Sequence, residues 1–359
     1  GALVERLRRA DAAIIEALPD PLLVLSAERL PLRANRAARE MLGGRGDGAE
    51  PTDIAALLRH PALAEALDRA LAARAPAVAD LVLPVPVTRE VAAQVIPMDP
   101  PLADGGRVLV VLSDRTQERA VERMRADFVA NASHELRTPL ASLIGFIETL
   151  RGPAADDPAA QQRFLGIMAE QSERMRRLID DLLGLSRIEV TEHQAPSGRC
   201  DVSLLARAEA DAMAPLLAAR RVAIVPDLRE GVAQPAEPDQ VAQVIRNLLE
   251  NAVRHGREGG TIRLSVAPGP AADGRAGVAI TVADDGPGIP REHIPRLTER
   301  FYRVDKGRSR SVGGTGLGLA IVKHIVNRHR GDLQIASAPG EGARFTVWLP
   351  PYAGEPAGR

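Results

Sequence analysis

His134 is followed at once by Glu135, with Thr138 and Pro139 four and five residues beyond it. On a helix, residues four apart share a face, so Thr138 would stand one turn from the imidazole. A proline inside a helix removes an amide donor and weakens the turn. An exposed imidazole, a carboxylate able to take its second proton, and a helix able to bend suit a nucleophile that is loaded covalently. An ordinary exposed helical histidine needs none of these offsets.

A second set of motifs begins at Asn247-Leu248-Leu249-Glu250-Asn251. Two asparagines four apart put hard amide oxygens on one helix face, which suits a magnesium ion that keeps several waters. Asparagine is unfavourable in mid-helix, so a packing role explains it poorly. Arg254 and His255 follow on the same helix, near where phosphates would lie. Asp284-Asp285-Gly286-Pro287-Gly288-Ile289 comes directly after a strand-like run. Its two glycines let a flat ligand approach the backbone, although read alone the stretch is a turn.

Glu299-Arg300-Phe301-Tyr302-Arg303 gathers two aromatics in a chain that is only 2% aromatic. Arg303 offers a guanidinium fork for a terminal phosphate; a packed loop is the alternative reading. Gly313-Gly314-Thr315-Gly316-Leu317-Gly318-Leu319 runs into a helical stretch ending at Arg328. Free amides at a helix start favour bound phosphate, which makes Thr315, Gly316, Leu317 and Gly318 candidate contacts. The Gly-Lys-Ser/Thr ending of a Walker loop is missing, and no strand directly precedes the glycines as a dinucleotide fingerprint requires. The polar tract Asp305 to Val312 reads as a lid, with Tyr302 and Lys306 as further candidate contacts.

The stretch from Phe128 to Leu140 closely resembles the phosphoacceptor box of bacterial sensor histidine kinases. The later motifs, in their order, resemble the N box, first glycine box, F box and second glycine box of the GHKL ATPase superfamily, its histidine kinases in particular. The resemblance implies that His134 is phosphorylated from ATP with Glu135 as general base. It implies that Asn251 binds Mg²⁺ with Asn247 alongside, and that Asp284 meets the adenine amino group. The family often has Asn where Asp285 stands. The phosphoryl group would pass to an aspartate of a response-regulator receiver domain, and Thr138 would orient water for the reverse dephosphorylation. The tract from Phe301 to His324, together with the first block of the chain, is similar to phosphate-regulon sensor kinases. Two rivals share the nucleotide motifs: an ATPase of the chaperone or mismatch-repair type, and a binding module without kinase activity. The box around His134 opposes the first, and the intact nucleotide motifs oppose the second.

Stepwise along the chain, these motifs fall on a multidomain α+β protein of three blocks. Residues 10–115 read as a strand, short helices and a returning sheet, with β-like runs over Asp80 to Ile96 and Arg107 to Ser113. The Asn35…Ala38…Leu42-Gly43 pattern is similar to PAS sensor domains. Residues 116–190 predict two long helices, broken between Gly152 and Pro158. Phe164, Met168, Gln171, Met175, Leu178, Leu182 and Leu185 form a heptad seam in the second helix. A hairpin this narrow cannot bury both apolar faces alone, which predicts a homodimer closing a four-helix bundle. Residues 196–352 alternate strands with helices, among them Val202–Ala219, Asp239–Val253 and Leu317–Arg328. They predict a GHKL-type α/β sandwich that binds ATP.

Composition narrows the classes further. A formal net charge of -1 gives no sign of a direct nucleic-acid binder. The single cysteine, Cys200, cannot form an internal disulfide, which fits a reducing compartment. No apolar run reaches the roughly 20 residues of a membrane helix. The chain opens Gly1-Ala2 and is expected to be the cytoplasmic fragment of a longer protein held in the bacterial inner membrane through an N-terminal part. The six histidines other than His134 are expected at the surface.

Overall fold

The computed structural model describes residues 13–42, 54, 57–83, 88–102, 104–271, 273–304 and 314–351. The chain divides into two compact units, Gly1–Asp127 and Phe128–Arg359.

In the first unit, β1 (Leu22–Leu25), β2 (Pro31–Ala34), α1 (Arg36–Met41), α2 (Pro61–Ala73), β3 (Ala77–Leu83), β4 (Arg89–Pro97) and β5 (Val108–Asp114) follow in order. The strands form one antiparallel sheet in the order β2-β1-β5-β4-β3. Alternation sets the faces: Ala79, Leu81 and Leu83 of β3 are buried while Val78, Asp80 and Val82 are exposed. The inward residues join Leu63, Ala66, Leu67 and Ala70 of α2 in one core. Asn35 is buried and caps α1, its Oδ1 accepting from the amides of Ala38 and Leu22, each at 2.9 Å. The expected run from Asp80 to Ile96 is two strands, β3 and β4, paired as a hairpin.

The next helix, α3 (Thr116–Arg151), starts where Asp114 Oδ1 accepts from the Thr116 amide at 3.0 Å and its hydroxyl at 2.6 Å. These bonds, the hydroxyl's first, hold the Asp114 carboxyl below its usual range. In the second unit α3 pairs with α4 (Pro158–Thr191), which Asp157 caps by accepting from Ala160 N at 3.0 Å. Proline at N1 costs nothing there because that amide has no helical partner. Phe146 and Phe164 stack across the hairpin at 5.4 Å. Leu178 and Leu185 of the heptad seam are buried, as is Ile188.

The ATPase-like lobe follows with β6 (Cys200–Asp201), α5 (Val202–Ala212), α6 (Ala214–Arg220), β7 (Ala223–Leu228), β8 (Val232–Ala233) and α7 (Pro238–His255). It closes with β9 (Thr261–Pro270), β10 (Ala276–Asp284), α8 (Gly318–Arg328), β11 (Asp332–Ser337) and β12 (Ala343–Leu349). The helix expected over Val202–Ala219 is broken between α5 and α6, where Pro215 cannot supply an amide to the preceding turn. The sheet runs β11-β12-β10-β9-β7, antiparallel except where β7 meets β9. Ile262, Leu264, Val266, Val278, Ile280, Val282, Phe345 and Val347 point to one face, where α5, α7 and α8 cover them. Leu178, Leu185 and Ile188 of α4 belong to the same core. Among the described residues, no helix is long and apolar enough to cross a membrane.

One histidine departs from expectation. His329 is buried, and a surface position was expected for every histidine but His134. Its Nε2 accepts the Glu237 amide at 3.0 Å, at the cap of α7, and its Nδ1 lies 2.8 Å from the Ile325 carbonyl. A buried ring that satisfies two backbone groups is a structural part of the lobe.

Candidate active site

On α3, His134 is exposed and Glu135 half-buried, one helical step apart. Consecutive helical positions point about 100° apart, so the two side chains face different surroundings. Among the described residues, no side chain holds either ring nitrogen of His134. The Glu135 carboxylate turns towards α4 and the lobe. Its Oε2 lies 3.5 Å from Arg174 Nη2 and 3.4 Å from Arg303 Nη2. Thr138 Oγ1 donates to the His134 carbonyl at 3.2 Å, which places the hydroxyl one turn from the imidazole. Pro139 sits buried inside α3.

On α7, Val241, Val244, Ile245, Leu248, Leu249, Ala252 and Val253 face the core. Asn247 and Asn251 stand half-buried at the edge of that stripe, and Asn247 faces the second glycine motif. A Cβ added at Gly318 would lie 3.2 Å from Asn247 Oδ1, and one at Gly314 3.8 Å from Arg254 Nη1. The start of α8 therefore runs directly across the polar edge of α7. Arg254 pairs with Glu250 at 3.0 Å. Desolvation, and then the guanidinium groups of Arg254, Arg220 and Arg303, push the His255 imidazole below its ordinary value.

At the end of β10, Asp284 Oδ1 accepts the Gly286 amide at 2.9 Å, and burial pushes its carboxyl up. A side chain at Gly286 would collide with Asp284 Oδ1 and the His255 carbonyl, at 2.7 and 2.8 Å. Gly288 has φ +71°, and a Cβ there would overlap the Ala338 carbonyl. Ile289 donates its amide to Ser337 Oγ at 2.8 Å. Asp285 points elsewhere: its Oδ2 accepts the Thr261 amide at 2.9 Å and ties the start of β9.

The aromatic motif anchors the loop between these parts. Tyr302 puts its hydroxyl 2.6 Å from His293 Nδ1, with Arg296 stacked on the ring at 4.3 Å. Phe301 donates its amide to the Gly316 carbonyl at 2.8 Å and meets Phe128 of α3 at 5.9 Å between rings. Arg303 also donates to the Gly314 carbonyl. Lys306 lies outside the described residues.

Thr315 donates its hydroxyl to Asp181 of α4 at 2.7 Å, and the same oxygen accepts the Leu317 amide at 3.3 Å. Leu317 opens α8 without a side-chain cap. Asn247, Arg254, Arg303, Thr315, Leu317 and Gly318 are thus drawn to one place, with Glu135 reaching it from α3. Asp284 and Gly286 lie against the C-terminus of α7, at Gly256 and the His255 carbonyl, while Gly288 and Ile289 pack on Ala338 and Ser337.

Sequence reasoning did not find the hairpin side of this arrangement. Asp181 and Glu189 of α4, and Glu192 at its C-cap, face the lobe: Asp181 accepts from Thr315, Arg300 meets Glu189 at 2.6 Å and His324 Nδ1 lies 2.9 Å from Glu192. The one available signal was an acid, Asp181, set among Leu178, Ile179, Leu182 and Leu183.

Comparisons with known proteins bear on the family of the chain. Residues 124–191 match the family model of the His Kinase A (phospho-acceptor) domain. Residues 236–353 match the histidine kinase-, DNA gyrase B- and HSP90-like ATPase family. The chain is 37% identical over 353 residues to the phosphate regulon sensor protein PhoR of Pseudomonas aeruginosa, spanning 98% of this chain and 75% of that one. It is 36% identical over 243 residues to the sensor protein kinase WalK of Staphylococcus aureus, spanning 67% of this chain and 57% of the relative. Its fold is similar to histidine kinase ThkA, solved in complex with response regulator protein TrrA. That match has TM-score 0.50 at 17% identity and covers 94% of this chain and 98% of the other. The chain belongs to the sensor histidine kinases of two-component systems, with a phosphoacceptor helix pair followed by an ATPase domain.

Proposed function

We propose that this kinase transfers the γ-phosphoryl group of ATP to His134 and then to an aspartate of a response-regulator receiver domain. One observation carries the reading: Arg303, of the aromatic motif of the lobe, lies 3.4 Å from Glu135, the neighbour of His134. The lobe and the nucleophile thus meet within one compact unit.

The residues fit the nucleotide. Backbone is bare at Gly286 and Gly318, where a Cβ would crowd Asp284 or Asn247. Asp284 suits an adenine amino group, and the start of α8 suits phosphate. Asn251 and Asn247 offer amide oxygens to Mg²⁺, whose charge would offset that of the phosphates. A neutral His134 nitrogen attacks the γ-phosphorus, and the bond to the β-bridging oxygen breaks, ADP leaving with the electron pair. Arg303 and Arg254 stabilise the charge on the equatorial oxygens. Glu135 takes the proton from the other ring nitrogen, and the product is a phosphoramidate on His134. In the second transfer an aspartate oxygen displaces the imidazole. Thr138 orients water for the reverse dephosphorylation, making the protein bifunctional.

Residues 10–115 serve as a PAS-like sensor, 116–190 as the dimerising phosphotransfer hairpin and 196–352 as the ATP-binding domain. A homodimer is supported by the exposed apolar side chains on both hairpin helices, among them Leu140, Ile144, Leu165, Ile179 and Leu183. Likeness to PhoR favours a response to phosphate limitation and attachment to the inner membrane through an N-terminal part, with this chain on the cytoplasmic side. The test is phosphotransfer from the ³²P-loaded chain to a panel of purified receiver domains. One receiver is expected to drain the label within seconds, and none doing so would remove the receiver from the account.

A further inference from the structure

We propose that Asp181 is a positioning residue of this kinase: docked on Thr315, it holds the lobe to the hairpin and competes with an incoming nucleoside triphosphate for that edge of the cradle. The inference rests on the kinase reading above and adds how nucleotide entry is coupled to movement of the lobe.

Four carboxylates of the hairpin touch the lobe, and they divide into two pairs. Asp181 and Glu135 contact cradle residues, accepting from Thr315 at 2.7 Å and from Arg303 at 3.4 Å. Glu189, two turns further along α4, and Glu192 at its C-cap contact Arg300 and His324, which lie outside the cradle. Thr315 is doubly committed, because its oxygen also accepts the Leu317 amide that opens α8. That amide is one a phosphate oxygen would use. Asp181 is partly buried, and Glu250 of α7 and Asp180 add like charge around it, with Arg254 as the nearby counter-charge. A triphosphate carries several negative charges into the same place, and like charges a few ångströms apart in a partly desolvated site repel strongly. Nucleotide entry therefore displaces Asp181 from Thr315, and Glu135 from Arg303. The Glu189 and Glu192 contacts lie outside the conflict and stay. The lobe pivots on the C-terminal part of α4 rather than detaching, and the carboxylate released beside His134 is the one that takes the ring proton.

Calorimetric titration of the full chain with AMP-PNP and Mg²⁺ tests this. Asp181→Asn keeps an acceptor and removes the charge; Asp181→Ala removes both. Each is expected to bind the nucleotide about ten-fold tighter, the equilibrium equivalent of one hydrogen bond to a charged group that no longer has to be broken. A residue that only supported the fold would weaken binding instead. Glu192→Gln is expected to bind as wild type. Without nucleotide, Asp181→Ala should also exchange its amide hydrogens faster over 178–188 and 317–320, with the rest of the lobe unchanged. Wild-type or weaker affinity in a folded Asp181→Asn variant overturns the proposal alone. Failure of the wild-type chain to bind AMP-PNP at all overturns the kinase reading with it.

Discussion

Asp284, the proposed adenine contact, shows how a binding role would trade against stability. Burial raises its carboxyl pKa, although bonds from the Gly286 and Ala343 amides pull the other way. In the unfolded chain the group titrates near pH 4. Below that pH both states carry the proton and the residue costs nothing. As pH rises through the folded pKa, the folded state must hold a desolvated charge, and that share of stability is lost. Asp284→Asn is therefore expected to melt at a higher temperature than wild type at pH 7, with the gap closing towards pH 4. The same variant should lose ATP binding, because an amide cannot offer adenine a second acceptor oxygen. Equal melting temperatures at pH 7 would contradict the burial argument. Asp285, which looks equivalent in sequence, ties the Thr261 amide instead. The two acids differ by one step along the chain, and only the fold separates their roles.

Among the elements, α3 and α4 were readable because a heptad seam is a long signal and Pro153, Asp157 and Pro158 punctuate it. The strands of the lobe were readable too, since alternation over β9, β10 and β12 matches their burial. Pro215 split the run Val202–Ala219 into α5 and α6. His329 was misjudged because nothing local announces a bond to Glu237, 92 residues away. The hairpin–lobe contacts were illegible for the same reason: Asp181 and Thr315 are 134 residues apart. Pro139 belongs to this scale. Alanine there restores an amide to α3 and, by helix propensity, adds up to about 3 kcal/mol to it. Pro139→Ala is expected to raise the unfolding temperature and to slow ATP-dependent labelling several-fold, measured by calorimetry and by a ³²P time course. Labelling at the wild-type rate would remove helix bending from the mechanism.

For the molecule as a whole, the hairpin leaves much apolar surface uncovered: Ile144 is 51% exposed and Leu183 52%. Apolar surface of this kind is buried most cheaply against a second copy. The double variant Ile144→Glu, Leu183→Glu is expected to shift the chain from dimer to monomer in light scattering, with the lobe still folded. A wild-type chain that is monomeric at tens of micromolar would contradict the bundle.

The central claim is that His134 carries the phosphoryl group, and one measurement reaches it directly. The purified chain and its His134→Ala variant are incubated with γ-³²P-ATP and Mg²⁺, and the labelled protein is then exposed to acid and to base. The wild-type chain is expected to take up label that survives base and is lost in acid, as a phosphoramidate requires, while His134→Ala takes up none and still binds ATP. Undiminished label on His134→Ala, or label that survives acid, would contradict the account.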